Sequence, residues 1–269
     1  MPRIRTYGLD IDTMRYAQRI KSGSGATILP EPLKQINKFV VGVKKLGLWQ
    51  HMVCWPMRSI HNAGTGSTVY SLGGSGTYNG TMVNSPTWNQ NGILVQSSIS
   101  SSIDVANFPV SDLNAGPNFI AYFTPRSISP TTSSEILSIR YQNTDFFYYG
   151  HRGVGGTGFM MSDFRSNDGF RWSSGFEATG NFIGVNISWA FTNRTHFIAS
   201  PLGTLTGSGA NAAVSTRTSP ATLSINSRGG TVESLVEFLI FFQNYNTIAN
   251  RLTIQNIFNR SLRSQTVYA

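Results

Sequence analysis

Apolar residues between positions 30 and 46 recur with the spacing of one face of an α-helix. Steps of three and four residues place six side chains on that face: Leu33, Ile36, Phe39, Val40, Val43 and Leu46. Pro32 suits the first position of such a helix, and Gly47 is a residue type that commonly ends or interrupts one. The pattern therefore predicts an amphipathic helix in the N-terminal part of the chain.

The opposite side of this predicted helix is basic. Lys34, Lys38 and Lys45 fall together there, and Val41 is the one apolar residue that does not fit the pattern. Two interpretations stay open at this point. The lysines are either solvated, as on any surface helix, or they face an acidic partner.

From about residue 68 the pattern changes to short apolar runs separated by Gly, Asn, Ser or Pro. Nine such runs are predicted to form strands: 118–125, 135–141, 145–152, 158–164, 169–174, 181–191, 195–200, 221–227 and 234–242. Because no helical segment separates these strands, they favour a sandwich or barrel over alternating strand–helix units.

Two further helices are predicted at the ends of the chain. A short one lies within residues 10–21 and is followed by a flexible break, SGSGA, at 22–26. The other is a closing helix within residues 246–262.

The composition agrees with a mainly β protein. The chain has 27 Gly, 17 Phe and 10 Tyr among 269 residues, and only 12% of its residues are charged, about half the usual share. Cys54 is the single cysteine, which excludes an internal disulfide. We expect this thiol to fill a small apolar space at the end of the first amphipathic helix.

The positive charge is concentrated near the N-terminus. The net charge is +9, and residues 1–58 hold ten Lys and Arg against three acids, whereas residues 59–269 hold eleven Arg against nine acids. The chain is therefore divided into a basic N-terminal arm, 1–58, and a β domain, 59–269. We predict that the arm docks on a partner through seven cations: Arg3, Arg5, Arg15, Arg19, Lys34, Lys38 and Lys45. Nucleic acid is the weaker partner, because no recognised nucleic-acid-binding motif is present.

Candidate catalytic and metal-binding residues are sparse. Asp10 and Asp12 stand where they are expected to cap a helix N-terminus, and Asp163 and Asp168 flank the predicted hairpin turn RSNDGF. The four histidines have neither HxH nor HExxH spacing, so no metal site is predicted. No cofactor is predicted either.

One short motif matches a dinucleotide-binding pattern only formally. Gly153, Gly155 and Gly158 satisfy G-x-G-x-x-G, but the next residues, FMMSDF, predict a strand where the motif requires a helix. We interpret the segment as a hairpin loop. Among the tryptophans, Trp88 and Trp189 are expected to pack in the core, and Trp172, near a predicted turn, is the candidate for contact with a glycan.

No membrane segment is predicted. The most apolar run, SLVEFLIFF, has nine residues and contains Glu237, so it is too short to cross a bilayer. The N-terminus lacks the apolar stretch of a secretory signal, and we expect assembly in a reducing cytosol.

Several stretches carry a family resemblance. The segment VYSLGGSGTYNGTMVNSPTWNQNGI (69–93) resembles the opening of the laminin-G-like branch of the concanavalin A-like lectin/glucanase sandwiches, through the runs YNGT, VN and PTW. NISWAFTNRTHFIASPLGTLTGSG is similar to the paired central strands of that fold. ATLSINSRGG and the segment from VEFLIFF to IQNIF are similar to its last strands and terminal helix. LKQINKFVVGVKKLGLWQHM (33–52) resembles a helical lead-in that precedes such sandwiches in structural proteins of tailed bacteriophages.

The resemblance implies a mainly β, concanavalin A-like (laminin-G-like) jelly-roll sandwich with an N-terminal helical arm and a short C-terminal helix. It implies a non-enzymatic virion protein, assembled in the host cytoplasm, that decorates or cements a capsid. The partners expected are the major capsid protein, other virion proteins and further copies of the same chain. The alternative is a tail or fibre adhesin that binds host-surface glycans through the sandwich.

Two departures from the family pattern bear on chemistry. Relatives commonly carry Asp at the position of Ser71, so the calcium site found in some members of the fold is not expected here. The glycosidase branch carries a Glu-x-Asp-x-x-Glu run, because retaining hydrolysis needs two carboxylates about 5–5.5 Å apart. This chain has no such run, which makes a polysaccharide-cleaving enzyme the least favoured of the three alternatives.

Overall fold

A computed structural model describes most of the chain. The described residues are 8–96, 99, 101–108, 118–127, 134–141, 144–154, 157–164, 171–177, 185–190, 195–200, 203–208, 221–228, 233–242 and 251–263. Side chains are described for the residues up to 108, and for parts of the segments 222–241 and 253–263.

Three α-helices lie near the two ends of the chain: α1 (Ile11–Ser24), α2 (Pro30–Lys45) and α3 (Arg251–Phe258), the last extended by a π-helical turn, Asn259–Arg263. Asp10 caps α1, because its carboxylate accepts a hydrogen bond from the backbone N–H of Asp12. The predicted helices are confirmed, although α1 continues into the expected flexible break as far as Ser24. We call α1, α2, α3 and the π-helical turn together the helical layer.

Seventeen strands are described: β1 (Met52–Pro56), β2 (Thr68–Val69), β3 (Gly73–Gly74), β4 (Gly80–Val83), β5 (Thr87–Asn89), β6 (Gly92–Gln96), β7 (Ser102–Phe108), β8 (Asn118–Ser127), β9 (Ser134–Tyr141), β10 (Thr144–Val154), β11 (Thr157–Phe164), β12 (Arg171–Glu177), β13 (Val185–Ala190), β14 (Thr195–Ser200), β15 (Gly203–Ser208), β16 (Ala221–Arg228) and β17 (Glu233–Phe242). All nine strands predicted from alternation are present, within a few residues of their predicted bounds.

The strands form two sheets, and every described pairing is antiparallel. The first sheet has the order β15-β14-β13-β8-β17-β1-β3, and β6 with β5 attaches beside β17. One edge of β17 is shared, because β1 pairs with Phe238–Phe242 and β6 pairs with Glu233–Val236. The second sheet has the order β12-β11-β10-β9-β16-β7-β4-β2.

Strand β1 corrects two predictions. Residues 52–56 were expected to belong to the N-terminal arm, but they form a strand inside the first sheet, between β17 and β3. Cys54 lies in this strand, fully buried, and not at the end of a helix. All five residues of β1 are buried, so they lack the alternation of a half-exposed strand, which is why periodicity missed it.

The first sheet is buried on both faces at β1 and β17. Toward the second sheet, Phe108 of β7 packs on Trp55 and Phe241, with ring centroids 5.8 and 4.7 Å apart. On the opposite face Phe238 packs on Phe39 of α2 and Phe258 of α3, each with ring centroids 5.0 Å apart. The helical layer therefore covers the outer face of the first sheet and shares a core with it.

Candidate partner-docking face and the hub beneath it

The basic side of α2 is exposed as predicted. Lys34, Lys38 and Lys45 are all exposed, and Val41 between them is half-buried. At 1.5 Å per residue the three lysines extend over about 16 Å of one helix side. We call them the basic stripe. The six apolar residues predicted for the other side of α2 are buried or half-buried against the sheet.

Part of the charge of the basic stripe is uncompensated. Lys34 Nζ lies 3.6 Å from Glu31 Oε2, and both side chains are about two-thirds exposed, so this surface pair contributes little to stability. Lys38 and Lys45 form no ion pair with any residue that the structure describes. On the outer side of α2, two exposed ammonium groups therefore have no ion-pair partner among the described residues.

The neighbouring lysine, Lys44, has a different role. Its Nζ donates to Asp10 Oδ1 at 2.7 Å and lies 2.6 Å from Asp12 Oδ2, which also accepts a hydrogen bond from Trp49 Nε1 at 2.9 Å. We call these four residues the Asp–Lys cluster. Asp10 N donates to Asn37 Oδ1 at 2.6 Å, so the cluster ties the start of α1 to α2. Asp10 is confirmed as a cap. The Asp12 carboxylate does not cap the helix, because it pairs with Lys44 and accepts a hydrogen bond from Trp49.

The cluster shifts two ionisation equilibria. Burial alone would raise the pKa of Asp10, but hydrogen bonds from Lys44 and the Asp12 N–H and the Lys44 charge outweigh burial and lower this pKa. Burial alone would lower the pKa of Lys44, but the two carboxylates outweigh it and raise this pKa. The stabilisation from Asp10 is lost as pH falls through its lowered pKa, and that from Lys44 is lost as pH rises through its raised pKa.

We expect Lys44→Met to lower the free energy of unfolding by about 1–3 kcal/mol, because Asp10 and Asp12 would lose their shared cation in a half-buried site. Lys45→Met, at the exposed neighbouring position, is the matched control and should stay within about 0.5 kcal/mol of the parent protein. Urea denaturation followed by circular dichroism measures both. Equal losses in the two variants would contradict the role assigned to Lys44.

The other predicted docking residues differ in their surroundings. Arg15 is exposed and lies 3.7 Å from Asp12. Arg19 is half-buried and points inward, where its Nη2 donates to the carbonyl oxygens of Ser71 and Leu72 at 2.8 and 3.3 Å. Arg19 therefore joins α1 to the β domain, and its contact with a partner stays a prediction. Arg3 and Arg5 lie outside the described residues.

For the residue predicted to contact a glycan, Trp172, the structure describes only the backbone. Trp172 lies in β12, opposite Ser162 of β11, at the edge of the second sheet. Its side chain, like that of Trp189, lies outside the described residues. Trp88 is half-buried against the core and donates from Nε1 to the Gly66 carbonyl at 2.9 Å, so its expected packing is confirmed in part.

Beneath the helical layer, a buried ion-pair network surrounds Glu237 of β17. Arg58 Nη2 lies 3.0 Å from Glu237 Oε2, and Arg263 approaches both carboxylate oxygens at 2.8 and 3.0 Å. Arg58 Nη1 also donates to the Leu262 carbonyl at 3.2 Å. The Glu237 side chain is only 8% exposed. Sequence reasoning recorded this acid only as a charge inside an apolar run, although an acid in such a place usually has a buried partner.

The residues that follow Arg58 also form hydrogen bonds to the helices and to the first sheet. His61 is 1% exposed, and its Nε2 donates to Gln35 Oε1 of α2 at 2.7 Å. Its carbonyl accepts the Tyr16 hydroxyl of α1 at 2.8 Å. Asn62 donates to the carbonyls of Pro56 and Tyr70 at 2.6 and 2.9 Å. We call residues 58–62 the hub, because this segment touches α1, α2, the C-terminal turn and the first sheet.

Candidate metal ligands do not cluster among the described residues. No group of three or more His, Cys, Asp or Glu side chains that could hold a metal ion occurs among them. Ser71 is fully buried, and its Oγ accepts a hydrogen bond from the Tyr78 N–H at 3.0 Å. Among the described helices none combines the length and apolar character needed to cross a membrane.

The formal dinucleotide motif lies in a hairpin. Strands β10 and β11 pair antiparallel, with Gly153 opposite Gly158 and Val154 opposite Thr157. No helix follows Gly158, since residues 157–164 form β11. The hairpin interpretation is confirmed.

Comparison with known proteins defines the class of fold. No protein-family model and no curated protein sequence matches the chain. Solved structures do match it. The structure reported for botulinum neurotoxin type C and its interaction with two ganglioside molecules has a TM-score of 0.53 and 9% identity, covering 79% of this chain and 53% of its own. Trypanosoma rangeli sialidase in complex with sialic acid has a TM-score of 0.54 and 9% identity, covering 78% of this chain and 33% of its own. The binding domain of botulinum neurotoxin serotype D/C has a TM-score of 0.51 and 9% identity, covering 77% of this chain and 52% of its own.

These neighbours have lectin-like β-sandwich folds, and the chain is similar to them in its mainly β, antiparallel architecture. The chain spans about half the length of the two toxin chains and a third of the sialidase chain. At such low identity the likeness concerns the fold alone.

Proposed function

We propose that the protein is a non-enzymatic structural protein of a tailed-phage virion that docks on an acidic protein shell through the basic stripe. The observation that carries this proposal is the contrast between neighbouring cations on the helical layer. Lys44 and Arg19 are used inside the molecule, whereas Lys38 and Lys45 are exposed without an ion pair among the described residues. The phage context comes from the sequence resemblance of the helical lead-in and the jelly-roll segments.

A docking helix packed on its own sheet has an energetic advantage over a free arm. The apolar face of α2 is already buried on the sheet, so the helix is ordered before the partner binds. Binding therefore does not cost the conformational entropy of ordering α2. Two ammonium groups on one helix side favour an acidic surface and speed the encounter, an effect that weakens with salt. The proposed partner is the major capsid protein, and the chain itself is proposed to form a homo-oligomer that matches the shell symmetry.

The absence of catalysis is part of the same proposal. The described acids serve structural contacts: Asp10 and Asp12 hold Lys44, and Glu237 lies between two arginines. A glycosidase needs two carboxylates on either side of a bound sugar. The sequence lacks the Glu-x-Asp-x-x-Glu run of the glycosidase branch.

Virion incorporation of charge-reversal variants tests the proposal. Lys38→Glu/Lys45→Glu is expected to lower the copy number per purified virion at least tenfold, since two attractive contacts become repulsive. Lys21→Glu/Arg260→Glu is the matched control, because it changes the net charge equally at exposed positions outside the basic stripe.

The outcomes are distinguishable by quantitative mass spectrometry of the virions. Equal incorporation of both double variants would refute docking through the basic stripe. Absence of the parent protein from virions would refute the virion assignment itself. A copy number in the hundreds supports capsid decoration, and a dozen or fewer supports a tail location.

Glycan binding is the second candidate, and the structural neighbours favour it. Two of the matching structures are described with a ganglioside or sialic acid, and Trp172 lies on an edge strand of the second sheet. In this alternative Trp172→Ala abolishes binding on a glycan array, and Lys38→Glu/Lys45→Glu retains it. An array without any signal for the parent protein would exclude the adhesin.

A further inference from the structure

The hub connects α1, α2 and the C-terminal π-helical turn to the first sheet. His61 contacts α1 through Tyr16 and α2 through Gln35, and Arg58 contacts the C-terminal turn through the Leu262 carbonyl. The hub is attached to the sheet by hydrogen bonds from Met57 N to the Glu237 carbonyl at 2.9 Å and by the contact between Arg58 and Glu237. A structural change at His61 therefore affects contacts with both α1 and α2.

The charges around the hub disfavour a further cation. Arg58 shares the carboxylate of Glu237 with Arg263, and no other carboxylate among the described residues pairs with Arg58. The groups that face His61 from the helices are the Tyr16 hydroxyl and the Gln35 amide, and both are neutral. The thiol of Cys54, on the neighbouring strand, is neutral as well, because burial raises its pKa well above the ordinary value. No carboxylate among the described residues contacts His61.

We propose that the hub is an acid-sensitive latch, in which protonation of His61 releases α1 and α2 from the first sheet while the two sheets stay folded. Nε2 of His61 already carries the proton donated to Gln35, so the added proton goes to Nδ1. The resulting imidazolium lies in a site that is 1% exposed, beside Arg58 and without a counter-charge of its own. Opening the layer hydrates this cation and exposes the outer face of the sheet, including Met52 and Phe238.

The direction of the pH dependence follows from burial. Burial, followed by the charge of Arg58, lowers the pKa of His61 from 6.5 to about 3 in the closed form. The open form has an ordinary histidine and binds the proton more tightly. The closed form therefore has its full stability relative to the open form above pH 6.5. This stability decreases as pH falls from 6.5 toward 3. Within that window the open population rises about tenfold per pH unit.

Hydrogen exchange of the full chain tests the latch. Protection factors, corrected for the intrinsic pH dependence of exchange, are measured by mass spectrometry at pH 7.5, 6.0 and 4.5. Peptides from α1 and α2 are expected to lose about a hundredfold in protection between pH 7.5 and 4.5, and peptides from β9, β10 and β16 to keep theirs.

Three variants identify the responsible group. His61→Gln keeps a donor near Gln35 but cannot be protonated, so its α1 and α2 protection should not change over this range. His51→Gln, in the half-exposed turn before β1, is the matched control and should retain the acid response of the parent. Gln35→Glu keeps the imidazole and supplies a counter-charge, so it should shift the opening to lower pH even if His61→Gln does not fold.

Three results would overturn the latch. The first is an undiminished acid response in His61→Gln or, should that variant not fold, in Gln35→Glu. The second is loss of protection in the sheets at the same pH as in the helices, which would indicate general unfolding. The third is an NMR titration of the parent protein that places the pKa of His61 near 6.5.

Discussion

Replacing Glu237 with Gln is expected to lower the free energy of unfolding by about 3–5 kcal/mol. The substitution keeps the size of the side chain but removes the only carboxylate that faces Arg58 and Arg263 among the described residues. Both guanidinium groups would stay mostly buried, with side chains 16% and 15% exposed, and each would lose its charged partner. Removal of the carboxylate from a buried ion-pair network is among the few causes of losses this large.

Chemical denaturation followed by tryptophan fluorescence measures this effect. Glu31→Gln is the matched control, because it removes the same charge from a two-thirds-exposed pair with Lys34 and should cost less than about 0.5 kcal/mol. A similar small loss in both variants would mean that the Glu237 network is no stronger than a surface pair.

Replacing Gly74 with Ala is expected to destabilise the protein by about 3 kcal/mol or more. Gly74 has φ +111°, a backbone conformation that L-residues rarely adopt. A Cβ at this position would also lie 2.7 Å from the Trp49 carbonyl oxygen and closer still to that of Met52. Both obstacles are backbone atoms, so β3 could accept the methyl group only by separating from β1.

Gly47→Ala separates the cost of the left-handed backbone conformation from the cost of the steric overlap at Gly74. Gly47 also has a left-handed backbone, φ +69°, but a Cβ there would meet no atom within 4 Å. Its expected cost is about 1–2 kcal/mol, from the backbone conformation alone. The difference between the two alanine variants in urea denaturation therefore measures the close approach of the chain at Gly74. Equal losses would show that the neighbouring carbonyls move aside without cost.

Local features of the structure were predictable because their causes are local. The buried side of α2 follows from a repeat of three and four residues, and the cap at Asp10 depends on a group two residues away. The strands β8–β14, β16 and β17 follow from short apolar runs between turn residues. The lysines of the basic stripe were predictable for the same reason, since residues four and seven apart share one helix side.

The misassigned residues depend on partners far along the chain. Arg19 was predicted only as a docking residue, whereas it also donates to acceptors 52 and 53 residues away in sequence. Glu237 meets Arg58 across 179 residues, and β1 is a strand because β17 supplies its hydrogen bonds. Neither periodicity nor composition contains the information that brings such groups together.

The sequence by itself determined the class of fold, the helices and the exposed basic stripe of α2, because spacing along a chain decides which side of a helix or strand is apolar. Only the tertiary structure decided which cations are free. Lys44 and Lys45 are adjacent in sequence, yet the first is held by two carboxylates of α1 and the second faces solvent. The physical reason is that a charge is neutralised by whatever lies within a few ångströms of it, and the packing of the helical layer on the first sheet determines those neighbours.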